Sequence, residues 1–523
     1  MRQLPPRIPP RLWGPIAAVL TGGLLFLSFP PYNLEPLAWI ALVPLMLFAR
    51  RAGWKSALLW SAALGVGLSV ALVSWLHYVT FGGWFALAIY VGSYYVAFAL
   101  LFRYLSRRLD RPAAFIAPAL WTALEFGKGT LFTGFAWFLL GHTQYLNIPF
   151  IQAADVVGVY GLGFVMVMVG GAIVDAVVRK RRALVPIAVA ALVTATAFAY
   201  GFVRLSACKT SDGPRVRLVQ GNVPIGLKLS SNDEDVIAFV RRHVNLSLTP
   251  EGRSSDLVIW PETMLPVYLN WAYLQGEDSY LQFARKLRDM ALEVPAQTHA
   301  RLLVGALTCE GRNGPFYNSG YYYGPEGRLL GRYDKIHPVV FGEYTPLKKQ
   351  FPFLAKLRPA VMGEDLWPGK DYVLFDLPWE GKSLRFAVTI CFEDTVPEVV
   401  REFARRRIDF LVNISNDGWF RGSPEMDQHM AICVFRAVES RRPIARASNT
   451  GISSFIDPCG RIRGYIHDGP KYREVAGSLA QPLQMSNLSS PYVRIGDAFS
   501  YACVLASAIF LLSAFLKGGQ KKS

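Results

Sequence analysis

The stretch "FAVTICFEDTVPE", residues 386–398, joins two local patterns at a single cysteine. Apolar and β-branched residues precede Cys391, which is typical of a buried strand, and "VPEVVREFARRR" (396–407) follows with helical spacing. A thiol just before a helix lies near backbone N–H groups that favour its anion. A cysteine that ends a strand is more often a small buried hydrophobe. The stretch therefore predicts an α/β unit and makes Cys391 a candidate nucleophile.

A similar pattern extends from about Arg215 to Gln484, where short alternating runs that are typical of strands are broken by turn signals. Helical patterns such as "SYLQFARKLRDMALEV" (279–294) alternate with the runs. Strands are predicted at 215–222, 256–263, 301–308, 383–391, 409–416 and 443–451. Alternation of strands and helices favours an α/β sandwich whose sheets are covered by helices.

The rest of the chain has the composition of a membrane protein. Its 523 residues are 52% hydrophobic and carry a net charge of +17, a combination that ordinary soluble proteins do not show. The basic residues lie in short groups between apolar runs rather than beside clustered aromatics, which favours a lipid bilayer over nucleic acid as the partner. Apolar segments of about membrane-spanning length lie at 13–30, 34–49, 56–77, 82–102, 113–126, 151–178, 183–204 and 496–516.

These segments predict a membrane domain of seven transmembrane helices over residues 1–205, an extracytoplasmic domain over 215–485, and an eighth transmembrane helix at 496–516. The fifth segment is the weakest, because Glu125 and Lys128 close it early and "LFTGFAWFLLG" (131–141) follows at once. It is either a short helix with a re-entrant segment or two helices. The first segment has no convincing cleavage site and is expected to be a retained helix.

Charge asymmetry predicts the orientation, because loops rich in Lys and Arg stay in the cytoplasm. The alternate linkers around 31–33, 78–81 and 127–150 contain only Lys128. The other set contains Arg2, Arg7, Arg11, Arg50, Arg51, Lys55, Arg103, Arg107, Arg108, Arg111, Arg179, Lys180, Arg181, Arg182, Lys517, Lys521 and Lys522. Both termini are therefore expected in the cytoplasm, and the domain between spans seven and eight is expected outside.

Three side chains of the outer domain suggest chemistry. Glu262 follows the strand "DLVIW", Lys335 lies in "GRYDKIHPVVFGEY", and Cys391 ends "RFAVTI". Each has a simpler explanation as a turn, surface or core residue. A carboxylate, an ammonium and a thiol at strand ends can nevertheless converge at one edge of a sheet, where α/β folds commonly place active sites.

Their contexts resemble a known superfamily. "IWPET", "YDKIHPVVFGE" and "TICFED" are similar to the Glu-Lys-Cys motifs of the nitrilase, or carbon-nitrogen hydrolase, superfamily, over roughly residues 215–485. This resemblance implies a four-layer αββα sandwich. With the predicted spans, "LFTGFAW" (131–137) and "HPVVFGEYTPL" (337–347), nearly the whole chain resembles the apolipoprotein N-acyltransferase family. Phe392 and Leu229 depart from it, where many members carry tyrosine and tryptophan.

The resemblance implies a ping-pong acyl transfer in a bacterial cytoplasmic (inner) membrane, with the catalytic domain on its outer face. Cys391 would take an acyl chain from a phospholipid donor as a thioester and pass it to the α-amine of a diacylated apolipoprotein. Glu262 would be the general base and Lys335 the oxyanion partner. No cofactor, metal or nucleic acid is implied, and the six cysteines lack the spacing of a zinc site.

Further side chains are expected to support this site. They are Glu343, Glu393, Phe392, Asn416 and Trp419. For Glu343 and Glu393 a structural salt bridge is an equal alternative. The loop 346–367, rich in apolar residues, is either a mobile lid that dips into lipid or ordinary core packing. His337 beside Lys335 makes a Cys-His pair a rival catalytic unit, ranked low.

Two other functions remain open from the sequence. A membrane-tethered amidase or nitrilase would use the same three residues for hydrolysis, although one helix would suffice as its anchor. A transporter with an accessory domain would need ionisable residues within its spans, for which Glu125, Asp155 and Asp175 are the candidates. Disulfide pairing among the outer cysteines is also left open.

Overall fold

The computed structural model describes residues 12–228, 232–249, 254–270, 279–311, 314–357 and 364–519. The chain divides into two compact units. The first comprises Met1–His77, Phe81–Ser206 and Ile495–Ser523, and the second comprises Tyr78–Thr80 and Ala207–Arg494. Leu229, one of the two departures from the family pattern, lies outside the described residues.

The regular secondary structure of the first unit, within its described residues, is entirely helical. Its helices are α1 (Trp13–Ser28), α2 (Val43–Arg51), α3 (Trp54–Leu72), α4 (Phe81–Arg108), α5 (Ala113–Thr130), α6 (Ile148–Ile151), α7 (Ala154–Arg179) and α8 (Leu184–Ala207). A last helix, numbered α15 below (Ala498–Gly519), packs on α5 through an edge contact of the Phe126 and Tyr501 rings, whose centroids are 5.0 Å apart.

Four stretches of this unit are long and apolar enough to cross a membrane. They are Trp54–Leu72, Phe81–Arg108, Ala154–Ala207, which contains both α7 and α8, and Ala498–Lys517. Helix α1 is apolar but shorter. The predicted segment 34–49 is not one helix: it forms a 3-10 turn at Glu35–Trp39 and then α2, whose nine residues extend about 13 Å. The number of membrane crossings stays a prediction.

The region after α5 shows how the weak fifth segment folds. Helix α5 is followed by 3-10 turns at Leu131–Thr133 and Leu140–Gln144 rather than by a second long helix. The backbone N–H of Leu140 donates to Glu125 Oε1 at 2.6 Å, and Lys128 Nζ donates to the carbonyl of Trp137 at 2.8 Å. These two charged side chains therefore form hydrogen bonds with backbone groups of an irregular segment, where no helix supplies the partners.

The two buried aspartates of this unit also have structural partners. Asp175 accepts the N–H groups of Ala113 and Ala114, both at 3.0 Å, and so caps the start of α5, whose first amides have no partner within the helix. Asp155 accepts from the Tyr200 hydroxyl at 2.8 Å and lies 2.7 Å from Arg204 Nη2. The side chains that a transport function would rely on are thus engaged in holding helices together.

The second unit contains two sheets. The first has the strand order β13-β1-β2-β4-β5-β6, with β3 on β4, and the second has the order β12-β11-β10-β9-β8-β7. The strands of the first sheet are β1 (Ser211–Gln220), β2 (Leu257–Ile259), β3 (Leu265–Tyr268), β4 (Arg301–Cys309), β5 (Phe316–Tyr323), β6 (Leu329–Asp334) and β13 (Gly477–Met485). Those of the second are β7 (Phe375–Trp379), β8 (Lys382–Ile390), β9 (Phe410–Ser415), β10 (Ile444–Ser448), β11 (Ser454–Ile456) and β12 (Ile462–Tyr465).

Helices cover the outer face of each sheet. Helices α10 (Asp233–Ser247) and α11 (Ser279–Thr298) pack on the first sheet, whereas α12 (Pro397–Arg405) and α13 (Glu425–Ser440) lie by the second. The remaining short helices are α9 (Ile225–Lys228) and α14 (Pro491–Ile495). Between the sheets, the ring of Tyr322 on β5 meets that of Phe386 on β8, with centroids 5.2 Å apart. The four-layer αββα sandwich is therefore confirmed.

Two local expectations need adjustment. The strand predicted at 256–263 is only three residues long in β2, because Pro261 lacks the N–H that would continue the ladder. Cys391 does not end strand β8 but opens a 3-10 helix, Cys391–Thr395, with φ of 53°. The strands that sequence reasoning missed, such as β5 ("FYNSGYYY"), are buried on both faces and lack the alternation that marks a half-exposed strand.

The pairing of the cysteines is resolved by the fold. Cys208 and Cys459 form a disulfide, and Cys309, Cys391, Cys433 and Cys503 are free. The disulfide joins the chain just before β1 to the turn between β11 and β12. It therefore ties the first strand of the sandwich to its last hairpin.

Candidate active site

Glu262, Lys335 and Cys391 come together at one edge of the sandwich. Strands β2 and β6 run in the same direction in the first sheet, so the residues after them share an edge, and Cys391 follows β8 in the facing sheet. Lys335 Nζ lies 3.8 Å from Glu262 Oε1, and the charges of both side chains act on the Cys391 thiol. Lys335 is 1% exposed and Glu262 7%.

Glu343 is the nearest partner of the lysine. Its Oε2 lies 2.8 Å from Lys335 Nζ and accepts the backbone N–H of Val339 at 2.7 Å. The structure therefore places this predicted supporting residue directly against Lys335.

Asn318 on β5 connects the two glutamates. Its Nδ2 donates to Glu262 Oε1 at 2.6 Å and to Glu343 Oε1 at 2.9 Å, while its carbonyl accepts the Lys335 N–H at 2.8 Å. Sequence reasoning missed this residue. The available signal was a polar amide inside a run of otherwise strand-forming residues, since a buried amide needs partners.

The electrostatics of the site keep the cysteine protonated and the lysine charged. Burial, and next the Glu262 carboxylate, raise the pKa of Cys391 well above its usual value, and Lys335 only partly offsets this. Burial alone would lower the pKa of Lys335, but the carboxylates of Glu343 and Glu262 raise it above its usual value. The thiol therefore needs a base at the moment of attack.

A second lysine lies at the site. Lys228, at the end of α9, donates from Nζ to the Glu262 carbonyl at 3.4 Å and contacts the Thr263 hydroxyl. Burial lowers the pKa of Lys228 to about 8, although the charges of Glu262 and Cys391 oppose the shift. Sequence reasoning missed Lys228; the signal was its position after "GNVP" (221–224) at the end of a strand.

Glu393 joins the cysteine turn to the lysine loop. Its Oε1 accepts from the Tyr333 hydroxyl at 2.8 Å, the Ile336 N–H at 2.7 Å and the His337 N–H at 3.0 Å. Its Oε2 accepts the Ile390 N–H at 2.7 Å. Burial raises the pKa of Glu393 to about 7. This carboxylate therefore sets the spacing between the segments that carry Lys335 and Cys391.

The other predicted site residues surround this centre. The ring of Phe392 stacks on that of His337, with centroids 6.1 Å apart. Asn416 Oδ1 accepts from Asn449 Nδ2 at 2.9 Å, and Asn449 in turn accepts the Val223 N–H. Trp419 is half-buried in the short 3-10 helix Asp417–Phe420. His337 thus packs beside Phe392, and Asn416 is linked through Asn449 to the loop before α9.

Several apolar side chains of the loop predicted as a lid are exposed in its described part. Leu347 is 58% exposed, Phe353 62% and Trp367 59%. Residues 358–363 and the side chain of Leu357 lie outside the described part, so the lid stays a prediction.

A cluster of possible metal ligands lies behind the cysteine. Ligand atoms of Asp417, Glu425 and His429 lie within 4.8 Å of one another, and all three residues are buried. Arg446 Nη2 lies 2.7 Å from Asp417 Oδ2 and 3.0 Å from His429 Nδ1. Since a guanidinium already neutralises Asp417 and contacts His429 Nδ1, these donors do not suit a dication.

Comparison with known proteins agrees with this architecture. Residues 21–172 match the family described as apolipoprotein N-acyltransferase N-terminal domain, and residues 215–471 match that described as carbon-nitrogen hydrolase. An apolipoprotein N-acyltransferase from Geobacter metallireducens is 34% identical over 96% of this chain and 95% of that relative. One from Chlorobaculum tepidum is 29% identical over 86% of each.

Among solved structures, an amidase from Nesterenkonia sp. is 16% identical, with a TM-score of 0.38 over 56% of this chain and 96% of that chain. The identity to the Geobacter relative extends over both units rather than over the sandwich alone. The chain therefore belongs to the apolipoprotein N-acyltransferase family.

Proposed function

We propose that this chain transfers a fatty acyl group from a phospholipid to the α-amino group of the N-terminal diacylglyceryl-cysteine of apolipoproteins. The observation that carries the proposal is the meeting of Glu262, Lys335 and Cys391 at one edge of the sandwich, in a chain related to named N-acyltransferases along almost its whole length. Cys391 is the nucleophile, Glu262 the base and Lys335 the oxyanion partner.

The first half-reaction makes a thioester. The Glu262 carboxylate takes the thiol proton as the Cys391 sulfur attacks the ester carbonyl of the donor. The ammonium of Lys335 neutralises the oxyanion, a role in which the loss of a donor costs about 10²-fold or more. The C–O bond then breaks, and the departing alkoxide takes the proton back from Glu262 to leave a lysophospholipid.

The second half-reaction makes the amide. The α-amine of the acceptor attacks the thioester carbonyl, and the C–S bond breaks. Glu262 removes the proton of the amine and returns it to sulfur, which regenerates the thiol. Because the thioester keeps the acyl group reactive, exclusion of water decides whether transfer or hydrolysis follows.

Two observations support a location on the outer face of a bacterial cytoplasmic membrane, with both termini inside. The linkers that would face the cytoplasm carry nearly all the Lys and Arg of the membrane half. The Cys208–Cys459 disulfide suits an oxidising compartment. There, both substrates are anchored in the bilayer with the enzyme, and the exposed apolar side chains of 346–357 would admit acyl chains as a lid.

The test uses purified full-length protein and a phospholipid radiolabelled in its acyl chain. We expect a hydroxylamine-sensitive label on the wild type, lost in Cys391→Ala and chased onto a synthetic diacylated lipopeptide. A wild type that releases free fatty acid and never acylates the lipopeptide would instead be a hydrolase. A Cys391→Ala variant that still labels would remove the cysteine from the proposal.

A further inference from the structure

A buried charged network lies under the cysteine turn and consists of side chains that the proposed chemistry does not use. It consists of Asp394, Asp417, His429 and Arg446, each no more than 1% exposed. Asp394 belongs to the 3-10 helix that starts at Cys391, Arg446 to β10 and His429 to α13. Burying four ionisable groups is costly unless each is paired, so the arrangement needs an explanation.

The sheet register brings the network to the cysteine. Thr389 on β8 pairs with Asn413 on β9, and Asn413 pairs with Arg446 on β10. The three side chains therefore lie side by side on one face of neighbouring strands. Asn413 Nδ2 donates to Thr389 Oγ1 at 3.2 Å and to the carbonyl of Cys391 at 3.3 Å.

Arg446 holds the cysteine turn from two directions. Its Nη1 donates to Asn413 Oδ1, which orients the amide that binds the Cys391 carbonyl, and lies 3.2 Å from Asp394 Oδ2. His429 Nε2 contacts the other oxygen of Asp394 at 2.7 Å. Asp394 is three residues beyond the cysteine in the same turn, so both ends of the turn are anchored to one guanidinium.

A second path leads to the sulfur. Arg446 Nη2 donates to Asp417 Oδ2 at 2.7 Å, and Asp417 Oδ1 accepts from the Ser415 hydroxyl at 2.6 Å. Ser415 is also a hydrogen-bond partner of the Cys391 side chain. The guanidinium is thus linked to the carbonyl of Cys391 through Asn413 and to the thiol through Asp417 and Ser415.

The backbone conformation of Cys391 explains why its turn needs to be held by other residues. Its φ of 53° is in the left-handed region, which a residue with a Cβ rarely adopts and which persists only when surrounding contacts hold it. We propose that Arg446 and His429 are positioning residues that hold the Cys391 turn in its attacking geometry through Asn413, Asp394 and the Asp417–Ser415 pair. The inference rests on the proposed role of Cys391 as the nucleophile.

The charges of the network lead to a measurable effect that distinguishes this proposal from a purely structural role. The groups whose charge acts on the Cys391 sulfur include Glu262, Lys335, Lys228 and Asp417, and Arg446 neutralises Asp417. Arg446→Met removes the guanidinium that pairs with the Asp417 carboxylate and is expected to move the pH profile of Cys391 alkylation upward. Asp417→Asn removes the charge and is expected to move the profile downward. Lost packing alone would not give opposite shifts.

The experiment measures alkylation of Cys391 by iodoacetamide in purified full-length protein, from pH 6 to 10, by mass spectrometry of the cysteine peptide. Acyl-enzyme formation and thermal unfolding are measured in parallel. Arg446→Lys keeps the positive charge but loses the planar guanidinium that donates to several partners at once. For this variant we expect acyl-enzyme formation to fall about tenfold or more, mainly in kcat rather than KM. If the arginine variants do not fold, the same measurements are made on Asn413→Ala and Ser415→Ala, which interrupt the two paths to Cys391.

The matched control is Arg436→Lys, because Arg436 is equally buried on α13 but pairs with Glu439. It should lower the unfolding temperature without moving the alkylation profile. Unchanged alkylation and acylation in folded Arg446→Lys, or shifts of the same sign in Arg446→Met and Asp417→Asn, would overturn the inference. An active Cys391→Ala would instead overturn the proposed function, so the two failures are distinguishable.

Discussion

The ammonium of Lys335 lies 2.8 Å from the carboxylate of Glu343, a full ångström closer than its 3.8 Å approach to Glu262. Glu343 thus neutralises the lysine and leaves Glu262 free of a direct ion pair at hydrogen-bond distance. Asn318 donates to both carboxylates and so fixes their positions relative to one another. Glu262 is the proposed base for the thiol proton, and it is better placed to accept that proton when Glu343 carries the close ion pair with Lys335.

Glu343→Gln should therefore lower acyl-enzyme formation by about 10²-fold, because Lys335 would move toward Glu262 and displace the proposed catalytic groups. The measurement is the rate of hydroxylamine-sensitive labelling by a radiolabelled phospholipid. Glu326→Gln, at an exposed position, is the control. A normal rate in Glu343→Gln would show that Glu262 needs no such protection.

Lys228→Met is expected to slow Cys391 labelling most at neutral pH. The pKa of Lys228 is about 8, so its positive charge beside Glu262 and Cys391 is present below that pH and disappears as the pH rises through it. The ratio of wild-type to variant rates should fall toward one above pH 8. Lys286→Met, on an exposed face of α11, is the control. A ratio that does not change with pH would contradict the role of this charge.

Glu425→Gln should change how stability depends on pH. Burial, and next the charge of Asp417, raise the pKa of Glu425 from 4.5 to about 7, while His429 and Arg446 oppose the shift. The native state then holds a proton that the unfolded state releases, so wild-type stability decreases as the pH rises from about 4.5 through 7. The variant should lose less stability over this range.

Unfolding temperatures at pH 5.5 and 8 measure this effect. Part of the slope should remain in the variant, since the pKa of Glu393 is also about 7. An equal difference between wild type and variant at both pH values would exclude titration of Glu425 as the cause.

Loss of the Cys208–Cys459 bond should destabilise the sandwich. The bond closes a loop with a sequence separation of 251, and removing such a crosslink typically costs about 2–4 kcal/mol. Cys208→Ser with Cys459→Ser should unfold at a lower temperature, and wild type treated with a reductant should match it. In protein alkylated before lysis, two thiols should become available only after reduction. Free thiols at both positions would argue against an oxidising location.

Phe351→Ser combined with Phe353→Ser tests the lid. Both side chains are exposed and apolar, at 49% and 62%, so their loss should weaken the use of phospholipid in vesicles and leave alkylation of Cys391 by iodoacetamide unchanged. A lipid-soluble spin label that broadens no signal from Phe353 would contradict contact with the bilayer. Leu330→Ser, an exposed apolar residue on β6, is the control for general surface effects.

The sequence predicted helices and strands well where the signal comes from residues within a few positions of one another. The run before Cys391 became β8, and "VPEVVREFARRR" became α12, because apolar period and proline placement act within a few residues. Hydropathy does not report a broken helix, and the structure shows that the 3-10 turn at Glu35–Trp39 interrupts the segment 34–49 before the helix Val43–Arg51. Strand β5 was missed because burial on both faces removes the alternation of apolar and polar residues.

What the sequence alone determined is the class of the chain: long apolar runs around an α/β domain, with Glu262, Lys335 and Cys391 in recognisable motifs. Only the tertiary structure revealed Asn318 between the glutamates, Lys228 beside Glu262, the Arg446 network and the Cys208–Cys459 pair. The physical reason is sequence separation. Motifs depend on neighbours along the chain, whereas these contacts depend on strand register and sheet stacking, which bring together residues from as far apart as positions 208 and 459.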